Sequence, residues 1–206
     1  MTTRRSYETG DTIVEMVMAF AIFSFAVVIT TAIMNRGVAL SQQSLEVTLV
    51  RQQMDSQAEI IRYLHDTHNA AWTSLVGTDA TPGNGDDRIT TNIMPLSSAT
   101  CPNSATLGSA SLRAFFITPN PSTPDAFTVS TITAANYGGA TTYARVVYPT
   151  VASPTPTSQG IWVQIASAEG STPAVPAYDV YIHGCWDVSG QTQPMTQGTI
   201  VRLYGR

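Results

Sequence analysis

The residue of this chain that most needs a chemical explanation is Glu15. It stands directly before nineteen uncharged residues, 16–34, in a 206-residue sequence. A carboxylate at the border of a hydrocarbon layer costs more the deeper it sits, about 2.5–3.5 kcal/mol at the centre on insertion scales. Acids in such a place tend to have a positive partner, and no base occurs between Arg5 and Arg36. A partner could come from another chain, and a free amino terminus would serve.

Other residues could also carry chemistry. His65 and His68 stand three apart with Asp66 between them, and two His at that spacing can face one metal ion. The commoner use of such residues is as solvated groups at a helix end, and no third ligand follows nearby. The stretch between Asp79 and Asp87 gathers carboxylates and Gly that could hold Ca²⁺. It lacks the alternating acids and distal Glu of an EF-hand, so a solvated turn is expected. Cys101 and Cys185 are the two cysteines. They fit one long-range disulfide if the region lies in an oxidising compartment, or otherwise two buried thiols. A bridge closing so long a loop would stabilise by about 4 kcal/mol in the chain-entropy model. His183 near Cys185 and Asp187 would permit a thiol site, but the disulfide is the preferred use of the cysteine. No nucleophile elbow or phosphate-binding loop occurs. No enzyme, metal or cofactor is expected.

These residues must be positioned by two different kinds of element. Charged residues make up only 12% of the chain, low for a soluble globular protein. All ten basic residues are Arg, and the net charge of -4 gives no global reason to bind nucleic acid or anionic lipid. Residues 13–34 are almost wholly apolar. As helix, nineteen uncharged residues span about 28 Å, close to the hydrocarbon thickness of a bilayer. Ser24, Thr30 and Thr31 are tolerated there because hydroxyls bond back to helix carbonyls. A cleaved secretory signal fits poorly, since Glu8, Asp11 and Glu15 load its leading region with acid and the apolar core is too long. A plain signal anchor fits better, with Arg4 and Arg5 held on the cytoplasmic side. It leaves Glu15 unexplained.

The stretch Gly10-Asp11-Thr12-Ile13-Val14-Glu15, followed at once by the apolar run, resembles the prepilin cleavage and methylation motif of type IV pilin-like proteins. The resemblance implies that a membrane peptidase removes residues 1–10 after Gly10 and that Asp11 becomes the N-methylated first residue. Thr12 fills the second position, and Glu15, the fifth, pairs with a neighbouring subunit's amine during assembly. The family usually carries an aromatic or other apolar residue where Asp11 stands. Implied partners are other pilin subunits through helix–helix packing, the prepilin peptidase, the assembly platform and the cytoplasmic membrane, with no direct nucleic-acid partner. The implied location is a single-pass cytoplasmic-membrane protein with an extracytoplasmic head, reaching a cell-surface filament after assembly. Pilin-like heads often carry a disulfide where Cys101 and Cys185 stand.

Past the span, Val47, Val50, Met54, Ile61 and Leu64 follow three-four spacing, with Gln57 and Ala58 at the intervening step. The spacing predicts a helix over 12–66 whose second half packs under a β-sheet; the stripe is too brief and interrupted for a sustained coiled coil. Strands are expected over 112–118, 126–132, 143–148, 160–167, 177–183 and 199–204, from alternation and β-branched or aromatic enrichment. The last three should form an antiparallel meander, with 149–159 a Pro- and Thr-rich loop and 184–198 a long connection. The expected fold is α+β and pilin-like: a leader 1–10, a long helix 11–66 with its transmembrane part at 13–34, and a β-rich head 67–206. The expected function is a structural subunit, minor rather than major, of a type IV pilus or related filament. Alternatives are a pseudopilin of a type II secretion or DNA-uptake machine, or a signal-anchored adhesion or receptor module that never polymerises.

Overall fold

The computed structural model describes residues 11–67, 70–77, 87–96, 99–120, 122–123, 126–140, 142–150, 152–153, 155–168 and 177–205, the side chains of residues 11 and 12 excepted. The fold is α+β, and the chain divides into two units, one ending at Leu45 and one starting at Glu46. The first unit holds the apolar part of α1 (Asp11–Asp66). The end of α1 coincides with the sequence expectation.

In the second unit, residues 46–66 of α1 lie on a five-stranded sheet, and the three-four stripe is the contact. Val50, Met54, Ala58, Ile61 and Leu64 are buried in the common core, with Val47 partly so. Burying each large apolar side chain stabilises by about 1.5–3 kcal/mol, so this half of the helix is held by packing rather than by propensity. The sheet order is β2-β1-β6-β7-β8, built from β1 (Phe115–Pro119), β2 (Phe127–Thr131), β6 (Ile161–Ser167), β7 (Ala177–Trp186) and β8 (Met195–Tyr204). Every pairing in it is antiparallel, and β6-β7-β8 form the expected meander. The helix-facing side carries Val163, Ile165, Val180, Ile182, Val201 and Leu203. Gly184 lies under Val50 and Met54, whose Cγ1 and Sδ would stand 3.0 and 3.7 Å from a Cβ there.

Several boundaries differ from the sequence expectation, each for a local reason. Arg113 has φ 50°, in the left-handed region that breaks a strand, so β1 begins at Phe115 rather than at 112. Gly160 has φ 64°, and a Cβ there would stand 2.0 Å from the Cys185 carbonyl oxygen. It therefore separates β6 from β5 (Thr157–Gln159), which occupies the end of the expected loop 149–159. With β3 (Tyr137–Gly138) and β4 (Arg145–Val147), β5 makes a second, three-stranded sheet in the order β3-β5-β4, its β3–β5 pairing parallel. Strands β7 and β8 run further toward their hairpin than alternation suggests, so the connection is 187–194 rather than 184–198. Cys185 consequently lies within β7, not after it.

Two buried glutamines complete hydrogen bonding where the sheet alone cannot. Strand β1 pairs with β6 only at Phe115–Val163, which leaves the Ile117 backbone in need of partners on that side. Gln57 of α1 supplies them: its Nε2 donates to the Ile117 carbonyl at 2.7 Å, and its Oε1 accepts from the Ile117 N–H at 3.0 Å. On the opposite face Gln164 accepts from the Met94 N–H at 2.9 Å and donates to the carbonyls of Asn92 and Leu112. It thereby pins the irregular segment 89–96 over the sheet, helped by the Ile89–Ile165 bridge. Gln57→Met preserves volume but orphans two buried backbone groups. At about 1–3 kcal/mol for each unsatisfied group, the variant should lose roughly 2–6 kcal/mol, read as a lower denaturant midpoint at unchanged slope.

Candidate anchoring and assembly site

In the first unit every residue from 13 to 42 is exposed, including Ile13 at 74% and Phe25 at 71%. One eighteen-residue stretch has a mean hydropathy of 2.4. Among the described residues this is one helix long and apolar enough to cross a membrane. Its polar side chains are satisfied internally: Ser24, Thr30 and Thr31 donate to the carbonyls of Phe20, Ala26 and Val27 at 2.7, 2.7 and 2.8 Å. Residues 16–34 can therefore enter hydrocarbon with their hydroxyls bonded to carbonyls and their backbone N–H groups bonded within the helix. Met16, Ala19, Phe20 and Phe23 line a shallow apolar notch on its surface.

Glu15 is the exception on this helix. It is exposed, one residue before the uncharged run, and no ion pair or hydrogen bond joins its carboxylate to another described residue. Gly10 lies outside the described residues, as do the side chains of Asp11 and Thr12.

In the second unit Cys101 and Cys185 are joined, with Sγ–Sγ 2.09 Å and Cα–Cα 5.5 Å across a separation of 84 residues. Cys185 is thus no nucleophile, and Asp187 is exposed. The bridge fastens residues 99–103, which form neither helix nor strand, to the same sheet face that carries His183. That histidine is buried against Trp162 and Tyr181, in edge-on ring contacts of 5.3 and 6.1 Å. Leu96 packs beside it over Gly198. Its Nδ1 has no hydrogen-bond partner among the described residues, and burial pushes its pKa down to about 4.

The remaining sequence candidates have structural uses. His65 is buried, with its ring edge-on to Trp72 at 5.0 Å and its Nδ1 3.1 Å from Asp66. It is a packed core residue rather than a solvated helix end. His68 lies outside the described residues. Asp87 is buried and paired with Arg113, whose Nη1 also donates to the Asp87 carbonyl at 3.0 Å. This corrects the expectation of a solvated turn at Asp87; residues 79–86 lie outside the described residues. The pair also holds the unusual backbone of Arg113 in place. Among the described residues no three His, Cys, Asp or Glu side chains gather as a metal site would require.

His183 yields a pH dependence. Its pKa is about 6.5 unfolded and about 4 folded. Between those values the unfolded chain binds more protons, so stability should fall as pH drops from about 6.5 toward 4, by about 3 kcal/mol in all. Asp179, whose pKa Arg202 holds below the usual carboxylate value, adds a loss at lower pH. Denaturant titrations at pH 7 and 4.5 should show a clearly smaller difference for His183→Gln than for the parent chain.

Compared with protein-family models, with curated proteins and with solved structures, the chain matches none.

Proposed function

We propose that the chain is a structural subunit, minor rather than major, of a type IV pilus or related filament. A prepilin peptidase cuts after Gly10 and frees the amine of Asp11, which is then N-methylated. The apolar helix waits in the cytoplasmic membrane with the head outside, and an assembly platform passes it into a bundle of like helices. In that bundle Glu15 pairs with the amine of a neighbouring subunit, which sets axial register and removes the cost of an unpaired acid at the membrane border.

One observation carries this proposal: an exposed carboxylate without a partner among the described residues, directly before an exposed apolar helix whose own polar groups are satisfied. A plain membrane anchor needs the helix but not the acid. Gly10, five positions ahead of Glu15, gives the register at which a new amine would form. The size of the head and its irregular loops favour a minor subunit. A pseudopilin would use the same chemistry.

Mass spectrometry of the mature protein should find Asp11 at the amino terminus, with or without a methyl group. An intact leader beginning at Met1 or Thr2 would support the plain anchor instead. Glu15→Ala should insert into the membrane normally but enter filaments poorly. Loss of a desolvated pair worth about 3 kcal/mol corresponds to roughly a hundredfold less incorporation. Undiminished incorporation would remove the register role.

A further inference from the structure

The two halves of the Cys101–Cys185 bridge sit in different surroundings. Cys185 is fully buried. Cys101 is half-buried and lines a cleft of about 450 Å³ whose walls do not include Cys185. Thr100, Pro102, Tyr137 and Pro194 form part of those walls. Among the described residues the one charged side chain lining the cleft is Asp187, which is exposed. The backbone also holds the two ends differently. Cys185 is paired within β7, and its N–H donates to the Gly160 carbonyl at 2.8 Å. Cys101 belongs to residues 99–103, which form neither helix nor strand.

We infer that Cys101 is a thiolation site, at which a small uncharged or cationic thiol enters the cleft and exchanges with the bridge of the folded chain. The incoming thiolate forms a bond to Cys101 Sγ and the Sγ–Sγ bond breaks. Its electron pair leaves on Cys185 Sγ, which takes up the proton that the incoming thiol released. One disulfide replaces another, so the products are a mixed disulfide on Cys101 and a thiol on Cys185. Exchange depends on which sulfur can be reached, and Cys185 offers no exposed surface. A buried leaving thiolate slows the step relative to a fully exposed bridge, but it does not change the sulfur attacked. Asp187 sets the preference among thiols, because its charge repels an anionic tail and attracts an ammonium group. Exchange detaches residues 99–103 from β7, while the ladder β6-β7-β8 and the Cys185–Gly160 hydrogen bond stay in place. The bridge is then a redox-sensitive clasp on the cover of this sheet face. This inference does not rest on the filament reading.

The test uses the full-length chain in detergent with its bridge intact, exposed separately to cysteamine, mercaptoethanol or mercaptoethanesulfonate. Each rate is divided by that of the same thiol with hydroxyethyl disulfide, which removes differences in intrinsic reactivity. After an acid quench the chain is unfolded in N-ethylmaleimide and digested with trypsin. Cutting at Arg leaves Cys101 in residues 89–113 and Cys185 in residues 146–202. Early time points should show the small thiol on Cys101 with maleimide on Cys185 roughly tenfold more than the reverse. Cysteamine should react about fivefold faster than mercaptoethanesulfonate at low ionic strength, with mercaptoethanol between them. Asp187→Asn should bring the three rates together. Equal labelling of the two cysteines, the mark of exchange through unfolded chain, would overturn the proposal. So would label mainly on Cys185, no label on either cysteine, or a charge preference that survives Asp187→Asn.

Discussion

A carboxylate beside a hydrocarbon layer must be neutralised, paired or kept in water, and the function proposed for this chain follows from Glu15 having no ion pair or hydrogen bond with another described residue. The span behind it is as self-sufficient as a helix can be. Its backbone bonds are internal, and Ser24, Thr30 and Thr31 return their hydroxyls to carbonyls one turn back. Among residues 13–34 the one charged side chain, Glu15, stands at one end of the apolar run. Lateral packing of apolar helices is weakly directional, so a charge pair at a fixed height is what can set register between them.

The head obeys a different constraint. Its core forms when residues 46–66 of α1 cover one face of the sheet, and the buried polar groups are those that finish hydrogen bonding where strands separate. Gln57 serves β1 where β6 has turned away, and Gln164 ties a stretch of irregular chain to the other face. The Cys101–Cys185 bridge closes that same covering at its far end. A segment without regular structure is thereby held over a sheet face that would otherwise expose Trp162 and His183.

Much of this architecture was legible in the residues because the signals were local and repeated. The apolar run, the three-four stripe from Val47 to Leu64 and the alternation of the last strands each report one element's own burial. What escaped prediction depended on distant partners. Strands β3 and β5 are two and three residues long and exist only through their pairing, which no local pattern encodes. Gln57 looked like an interruption of an apolar stripe, because its value lies in the Ile117 backbone sixty residues away. Asp87 looked like turn chemistry until Arg113 was found beside it. Of the candidate site, Glu15 and the cysteine pair could be singled out from sequence, Glu15 by its isolation and the cysteines by their number.

The composition offers an unusually clean route to the central interaction. The chain has no Lys, so its amino terminus is the one primary amine it carries before any methylation. Zero-length carbodiimide coupling of assembled protein, followed by peptide mass spectrometry, can therefore report what amine lies against each carboxylate. Pairing between subunits predicts a linked peptide joining Glu15 to the Asp11 amine, formed between differently isotope-labelled copies or with a co-assembled subunit. Assembled material in which Glu15 stays unlinked while other carboxylates react with that amine would contradict it.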